Sequence, residues 1–199
     1  LANKWDFFYL TISGIAMGTS WMFLYEAYQQ IGVSIATLIY YCGPVIIMVL
    51  SPFLFNERLT LSKIVRFISV LGGILFINVQ AIQDGTNGWG IFCGVMSAIT
   101  YAFMVIFNKK AYSITGMKNS MLQLTISFLT VALFIGFRQG FTLHISPSDW
   151  IPILILGLVN TGIGCYLYFS SIGHLPVQTV AILGYLEPLS AVAFSVLFL

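Results

Sequence analysis

The sequence predicts an all-α, polytopic membrane helix bundle, and three observations predict it. Of the 199 residues, 59% are hydrophobic and only 7% are charged, with a mean hydropathy of +0.97. A soluble domain carries about 25% charged residues, so this chain has too few charges to coat a water-facing surface, and lipid is its expected solvent. The apolar residues also gather into runs of about 20, the length that crosses a hydrocarbon core of about 30 Å as a helix. Finally, the runs are continuous, whereas barrel strands would be about 10 residues long and alternate apolar with polar.

Seven runs qualify: about 8–28, 34–55, 63–80, 89–108, 119–137, 150–171 and 177–199. The first is closed by QQIGVS (29–34), the second by NERLTLSK (56–63) and the third by QAIQDGTNG (80–88). The fourth ends in NKKAYSITGMK (108–118), the fifth in RQGFTLHISPSD (138–149) and the sixth in SIGHLP (171–176). Connections this short make each helix antiparallel to the one before and leave no room for a soluble domain. We read both chain ends as truncations: the first residue is Leu1 rather than Met, and the last run is still apolar at Leu199.

Basic residues set the expected orientation. Alternate breaks collect Lys4, Arg58, Lys63, Arg66, Lys109, Lys110 and Lys118 on one side, leaving Arg138 with Asp84 and Asp149 on the other. The first side is therefore expected to be cytoplasmic, in a cell (inner or plasma) membrane. Trp89 and Trp150 then fall at the outer interface and Trp5 at the inner one, as an aromatic belt requires.

An internal repeat organises the runs. GVSIATLIYYCGPVIIMVLSPFLF (32–55) aligns with PVQTVAILGYLEPLSAVAFSVLFL (176–199) when Pro44 is set on Pro188. That offset of 144 also matches Val33 with Val177, Tyr41 with Tyr185, Ser51 with Ser195 and Gly18 with Gly162. Extending the offset places two further helices ahead of Leu1 and one beyond Leu199. The seven visible helices thus belong to an expected ten, in two five-helix repeats. Residues 1–82 are the last three helices of the first repeat, and 83–199 the first four of the second. An odd number of helices per repeat inverts the second, a pattern of secondary transporters that hold substrate near the midplane.

The same residues resemble the EamA-type transporters of the drug/metabolite transporter superfamily, over nearly the whole chain. The likeness is carried by Pro44 and its apolar run, NERLT (56–60) and Gly72-Gly73, with a second copy beginning at Pro188. The resemblance implies ten helices in a 5+5 arrangement and a central cavity lined mainly by the first four helices of each repeat. It also implies export or uptake of small metabolites, often amino acids.

The candidate site residues follow from the cost of polarity in lipid. An ionised group at a helix centre costs about 2.5–3.5 kcal/mol on insertion scales. Glu187 lies ten residues into its run, about 15 Å along a helix, beside Pro188. An acid next to backbone opened by proline suits a proton or cation site, or contact with a substrate ammonium group; the competing role is a protonated packing residue. Glu26 lies near the outer end of its run beside Tyr25 and Tyr28, where an interfacial role is as natural as a functional one. Tyr40, Tyr41, Tyr101, Asn160, Thr161, Tyr166 and Tyr185 are polar groups within runs, suited to a wet cavity or to bonding between helices. Pro44 and Pro188 are expected kinks that an inverted pair can use as hinges. Glu57 and Arg58 are expected to organise the cytoplasmic turn, and Gly14/Gly18 and Gly90/Gly94 to allow close helix packing.

The function class follows: a membrane transporter of small polar metabolites working by alternating access, ion-coupled or exchanging. The expected partners are the lipid bilayer and a small-molecule substrate. The net charge of +2 shows no basic cluster of the kind nucleic acid requires. Cys42, Cys93 and Cys165 lie singly in apolar runs, with no metal-ligand spacing, so no metal or cofactor is expected. An enzyme would need a motif such as HExxH, GxSxG or a phosphate loop, and none occurs. A seven-helix receptor is the alternative to a transporter; a retinal-binding version would need a Lys in 177–199, which has none. A channel finds no filter-like sequence.

Overall fold

In the computed structural model the described residues are 4–57, 60–61, 64–65, 68–69, 72, 87–140, 146–187 and 190. Pro188, Arg58, Lys63, Arg66, Gly73, Asp84 and Ser195, all named above, lie outside them. The described residues are predominantly helical and contain no strand. Helix α1 spans Lys4–Tyr40, α2 Gly43–Phe55, α3 Gly88–Lys110 and α4 Gly116–Gln139. A 3-10 turn at Pro147–Asp149 leads into α5 (Trp150–Leu154), a π-helix (Ile155–Ile163) and α6 (Gly164–Ile172); α7 is Val177–Leu183. Of the run expected at 63–80, the described residues 64–65, 68–69 and 72 are helical.

Four stretches among the described residues are long and apolar enough to cross a membrane: Lys4–Phe55, Gly88–Lys110, Gly116–Arg138 and Pro147–Ile172. The first contains 52 residues, about 78 Å of helix, more than one crossing of about 30 Å can hold. Two breaks divide it. Gly32 is non-helical at φ 77° and ψ 161°, a left-handed φ open to glycine because it has no Cβ; it lies inside the expected QQIGVS break. The second break, at Tyr41–Cys42, interrupts the run expected to be continuous over 34–55. Pro44 stands in the first turn of α2. There its missing N–H is no loss, so the proline opens a new helix instead of bending an old one.

Local chemistry sets the other ends. The Trp89 N–H donates to Asn87 Oδ1 at 3.1 Å at the start of α3, and α3 ends on Lys109 and Lys110, cations that suit the negative end of the helix dipole. Asn56 closes α2 in the left-handed conformation at φ 52°. Gly140, at φ 78°, ends α4 and returns its N–H to the Gly136 carbonyl.

The chain forms two compact units, Leu1–Thr19 with Phe103–Leu175, and Ser20–Ala102 with Pro176–Leu199. Each takes segments from both sides of the expected boundary at 82/83.

In the first unit α4 packs on α6, and small residues let α4 approach α1. A Cβ on Gly14 would lie 2.7 Å from Ile126 Cβ, and one on Gly18 2.9 Å from the Ser127 carbonyl oxygen. The buried seam is polar. Ser13 Oγ donates to the Met104 carbonyl at 2.7 Å and accepts from Gln123 Nε2 at 2.6 Å. The Asn108 and Asn119 side chains exchange hydrogen bonds at 2.9 and 3.1 Å. The buried Asp6 carboxylate accepts the Ser113 N–H at 3.0 Å. Lys109 Nζ donates to the carbonyls of Ile172, Gly173 and Leu175 just past α6, at 3.1, 3.0 and 2.6 Å. In the second unit α2 packs on α7, and the candidate site lies on that pair.

Candidate functional site

Two helix breaks meet on the α2–α7 pair. The first is Tyr41–Cys42, between α1 and α2; the second is Gly184–Tyr185, where α7 ends. The Tyr185 hydroxyl donates to the Tyr41 carbonyl at 2.8 Å, and the two rings lie 6.2 Å apart at 58°. With Met48 they form a buried cluster against which Leu38, Tyr40 and Val45 pack. The break exposes the carbonyl that the Tyr185 phenol meets, since within a continuous helix it would be committed to the ladder. Pro44 has no N–H to return to the Tyr40 carbonyl.

Tyr40 extends the aromatic group, with its ring 6.2 Å from Tyr41 and 5.2 Å from Tyr101. Gly43 makes room for this: a Cβ there would stand 2.7 Å from Tyr101 Cδ1. Tyr101 in turn reaches the second break, its hydroxyl 3.7 Å from where a Gly184 Cβ would be. Tyr40 and Tyr101 are half-buried, whereas Tyr41 and Tyr185 are closed off at 7% and 1% exposure. Glu187 follows the second break and is exposed. No hydrogen-bond donor meets that carboxylate among the described residues.

A clasp fixes the other end of the same pair. Glu57 accepts the N–H groups of Val177 and Gln178, at 2.8 and 3.2 Å, through its two carboxylate oxygens. These are donors that the first turn of a helix leaves without partners. Beside it Gln178 Nε2 donates to Ser51 Oγ at 2.6 Å, with both side chains buried. Glu57 therefore anchors α7 to the end of α2, a role in organising that turn which its place in NERLT suggests.

The structure thus brings together Glu187, Tyr41, Tyr185 and Tyr101 of the sequence candidates. Glu26 sits apart in a network of its own, accepting from Trp89 Nε1 and Gln30 Nε2, each at 3.2 Å; Gln30 accepts from Asn87 at 2.9 Å. These bonds join indole, amide and carboxylate in one exposed network. Asn160 lies exposed on the π-helix of the first unit, in a stretch with no buried residue in its apolar window. Sequence reasoning gave no special weight to Gln178, Ser51 and Gly43. Their contacts join residues far apart in the chain, and the available signal was that each is small or polar inside an apolar run.

The comparisons agree with the helical, apolar character of the chain. A family model described as the EamA-like transporter family matches residues 1–79 and 88–199. The "Uncharacterized transporter YxxF" of Bacillus subtilis (strain 168) is 26% identical, over 98% of this chain and 63% of its own length. An "Uncharacterized transporter" of Archaeoglobus fulgidus is 27% identical, over 83% of this chain and 58% of its own length. The chain therefore spans about three-fifths of the curated relatives it matches. No solved structure matches it.

Proposed function

Because the chain belongs to the EamA-like transporter family, we propose that it carries the central site of a secondary transporter for a small polar metabolite. In this hypothesis two inverted five-helix repeats, seven of whose ten helices are in this chain, alternate in opening the site to either side of a cell membrane. Amino acids are one candidate cargo, and the reaction is movement rather than bond chemistry. Glu187 and the half-buried rings of Tyr40 and Tyr101 face the substrate. Tyr41 and Tyr185 join the two repeats, and Pro44 with Pro188 mark the points where the helices flex. Glu26 and Asn160 have support from the sequence alone.

One observation carries the reading: Tyr41 and Tyr185, 144 residues apart, touch at the breaks of their two helices. Residues related by a two-fold axis contact each other only near that axis, so this pair fits a repeat whose halves cross there. Interrupted helices meeting at mid-membrane are where such carriers hold substrate and coupling ions.

The test is transport by the full-length protein in liposomes, screened across amino acids and nucleosides. Saturable uptake that Glu187→Gln abolishes is the expected result. Uptake unaffected by that change would remove Glu187 from the site. Inversion is tested separately by Ser34→Cys and His174→Cys in a background lacking Cys42, Cys93 and Cys165. An impermeant thiol reagent should reach the first from outside and the second from inside; labelling of both from one side sinks the inverted-repeat hypothesis.

A further inference from the structure

We propose that one end of the first unit, where four helix ends gather, is a docking surface for anionic phospholipid headgroups. The inference goes beyond the transport reading and is independent of the cargo. It starts from three ties. The Asp6 carboxylate sets the start of α1 against Ser113, in the connection between α3 and α4, at 3.0 Å. The Asn108–Asn119 pair joins the end of α3 to the start of α4. Lys109 Nζ joins the end of α3 to the carbonyls of Ile172, Gly173 and Leu175, where α6 finishes. Gly88–Lys110, Gly116–Arg138 and Pro147–Ile172 are each long and apolar enough to cross a membrane, and each has one end here. Side chains at this end therefore stand where the spans leave the hydrocarbon, at the depth of lipid headgroups.

The charge at this end is one-sided. It carries Lys4, Lys109, Lys110 and Lys118, whereas the whole sequence of the unit contains two acids, Asp6 and Asp149. Asp6 is buried and committed to the Ser113 amide. Asp149 lies near the other end of the Pro147–Ile172 span, the end expected to carry Arg138 as well. Lys109 is committed to its three carbonyls. No ion pair engages Lys4, Lys110 or Lys118 among the described residues; Lys4 and Lys118 are exposed and Lys110 is half-buried. Lys118 stands in the first turn of α4, where Thr115 makes no side-chain cap bond and no acid occurs. The helix dipole is positive there and adds to the lysine charge instead of offsetting it. Two features select lipid over a soluble anion. Trp5 and Tyr112 are 64% and 77% exposed, and such rings settle at headgroup level with their apolar bodies toward the chains. Lysine stems likewise lie along apolar surface while the ammonium group reaches the phosphates, and clustered basic residues beside spans attract anionic lipid.

The experiment is native mass spectrometry of the full-length protein titrated with dioleoylphosphatidylglycerol and, as the zwitterionic control with the same chains, dioleoylphosphatidylcholine. The anionic lipid should bind about tenfold more tightly. Lys4→Gln, Lys110→Gln and Lys118→Gln combined should remove that preference and leave binding of the control lipid unchanged. The corresponding Lys→Arg combination should keep it, and so should Arg138→Gln at the opposite end. Equal binding of the two lipids overturns the proposal, as does a preference that survives the triple Gln variant. Glycerol phosphate, the headgroup without chains, should not displace the lipid; full displacement would make this a site for a soluble anion and overturn the lipid assignment. The unaltered protein supplies a readout that needs no variant to fold. Raising ammonium acetate from about 0.05 to 0.5 M should shrink the preference severalfold, because salt screens exposed charge; a preference indifferent to salt overturns the proposal.

Discussion

The two compact units handle polar groups in opposite ways. In the first, the seam among α1, α3 and α4 is dense with serine, amide and carboxylate groups, most of them answered within the unit. Ser13 bridges Met104 and Gln123, Asn108 and Asn119 pair reciprocally, and Asp6 holds the Ser113 amide. In the second, one end of the α2–α7 pair is clasped by Glu57 and Gln178, while the other leaves two broken helices, half-buried phenols and an exposed acid. Polar groups in lipid are tolerated when paired, and mark a pathway when they face a cavity. The contrast separates a seam whose polar groups are mostly paired from a helix pair beside which the Glu187 carboxylate meets no hydrogen-bond donor among the described residues.

The sharpest way to break this contrast is to change one group from each unit and read both stability and transport. Glu187→Gln is expected to lower flux at least tenfold without moving the unfolding midpoint; a matching loss of stability would mean that Glu187 is a packing residue. Gly18→Val should do the reverse, costing about 1–3 kcal/mol by overpacking, because its new Cβ would meet Ser127 and Thr130. Detergent unfolding followed by circular dichroism measures that cost. Gly157→Val, where nothing lies within 4 Å, should stay within about 0.5 kcal/mol.

Two smaller effects refine the comparison. Glu57→Ala removes a side-chain cap worth about 1 kcal/mol, and the Val177 and Gln178 amides should then exchange hydrogen faster while α4 is unaffected. Unchanged exchange would show that the clasp does not hold α7. Ser13→Ala deletes one interhelical bond in the seam and should cost about 0.6 kcal/mol, the average for such bonds in a membrane bundle. A loss several times larger would mean that the seam acts as one cooperative network.

Some of the site was legible from the chain. Glu187 stood out because ionised side chains are rare in apolar runs, and Tyr41 and Tyr185 because the repeat alignment paired them. Tyr101 was one of several equivalent phenols; only the packing over Gly43 singles it out. Asn160 shows the reverse: polar in sequence, it lies exposed in the wide turns of the π-helix. The break at Tyr41–Cys42 was anticipated as a kink at Pro44, because a proline inside an apolar run reads the same whether it bends a helix or starts one.

By itself the sequence determined the solvent, the helical secondary structure and one of the places where a helix must stop, the break at Gly32. Each depends on local quantities: apolar length against bilayer thickness, and the backbone limits of glycine and proline. Tertiary structure alone decided which polar groups answer each other. Glu57 caps a helix 120 residues away, while Glu187 faces no hydrogen-bond donor among the described residues. Glu57 lies beside an apolar run and Glu187 within one, and what separates them in the fold is the partner that folding carries to each.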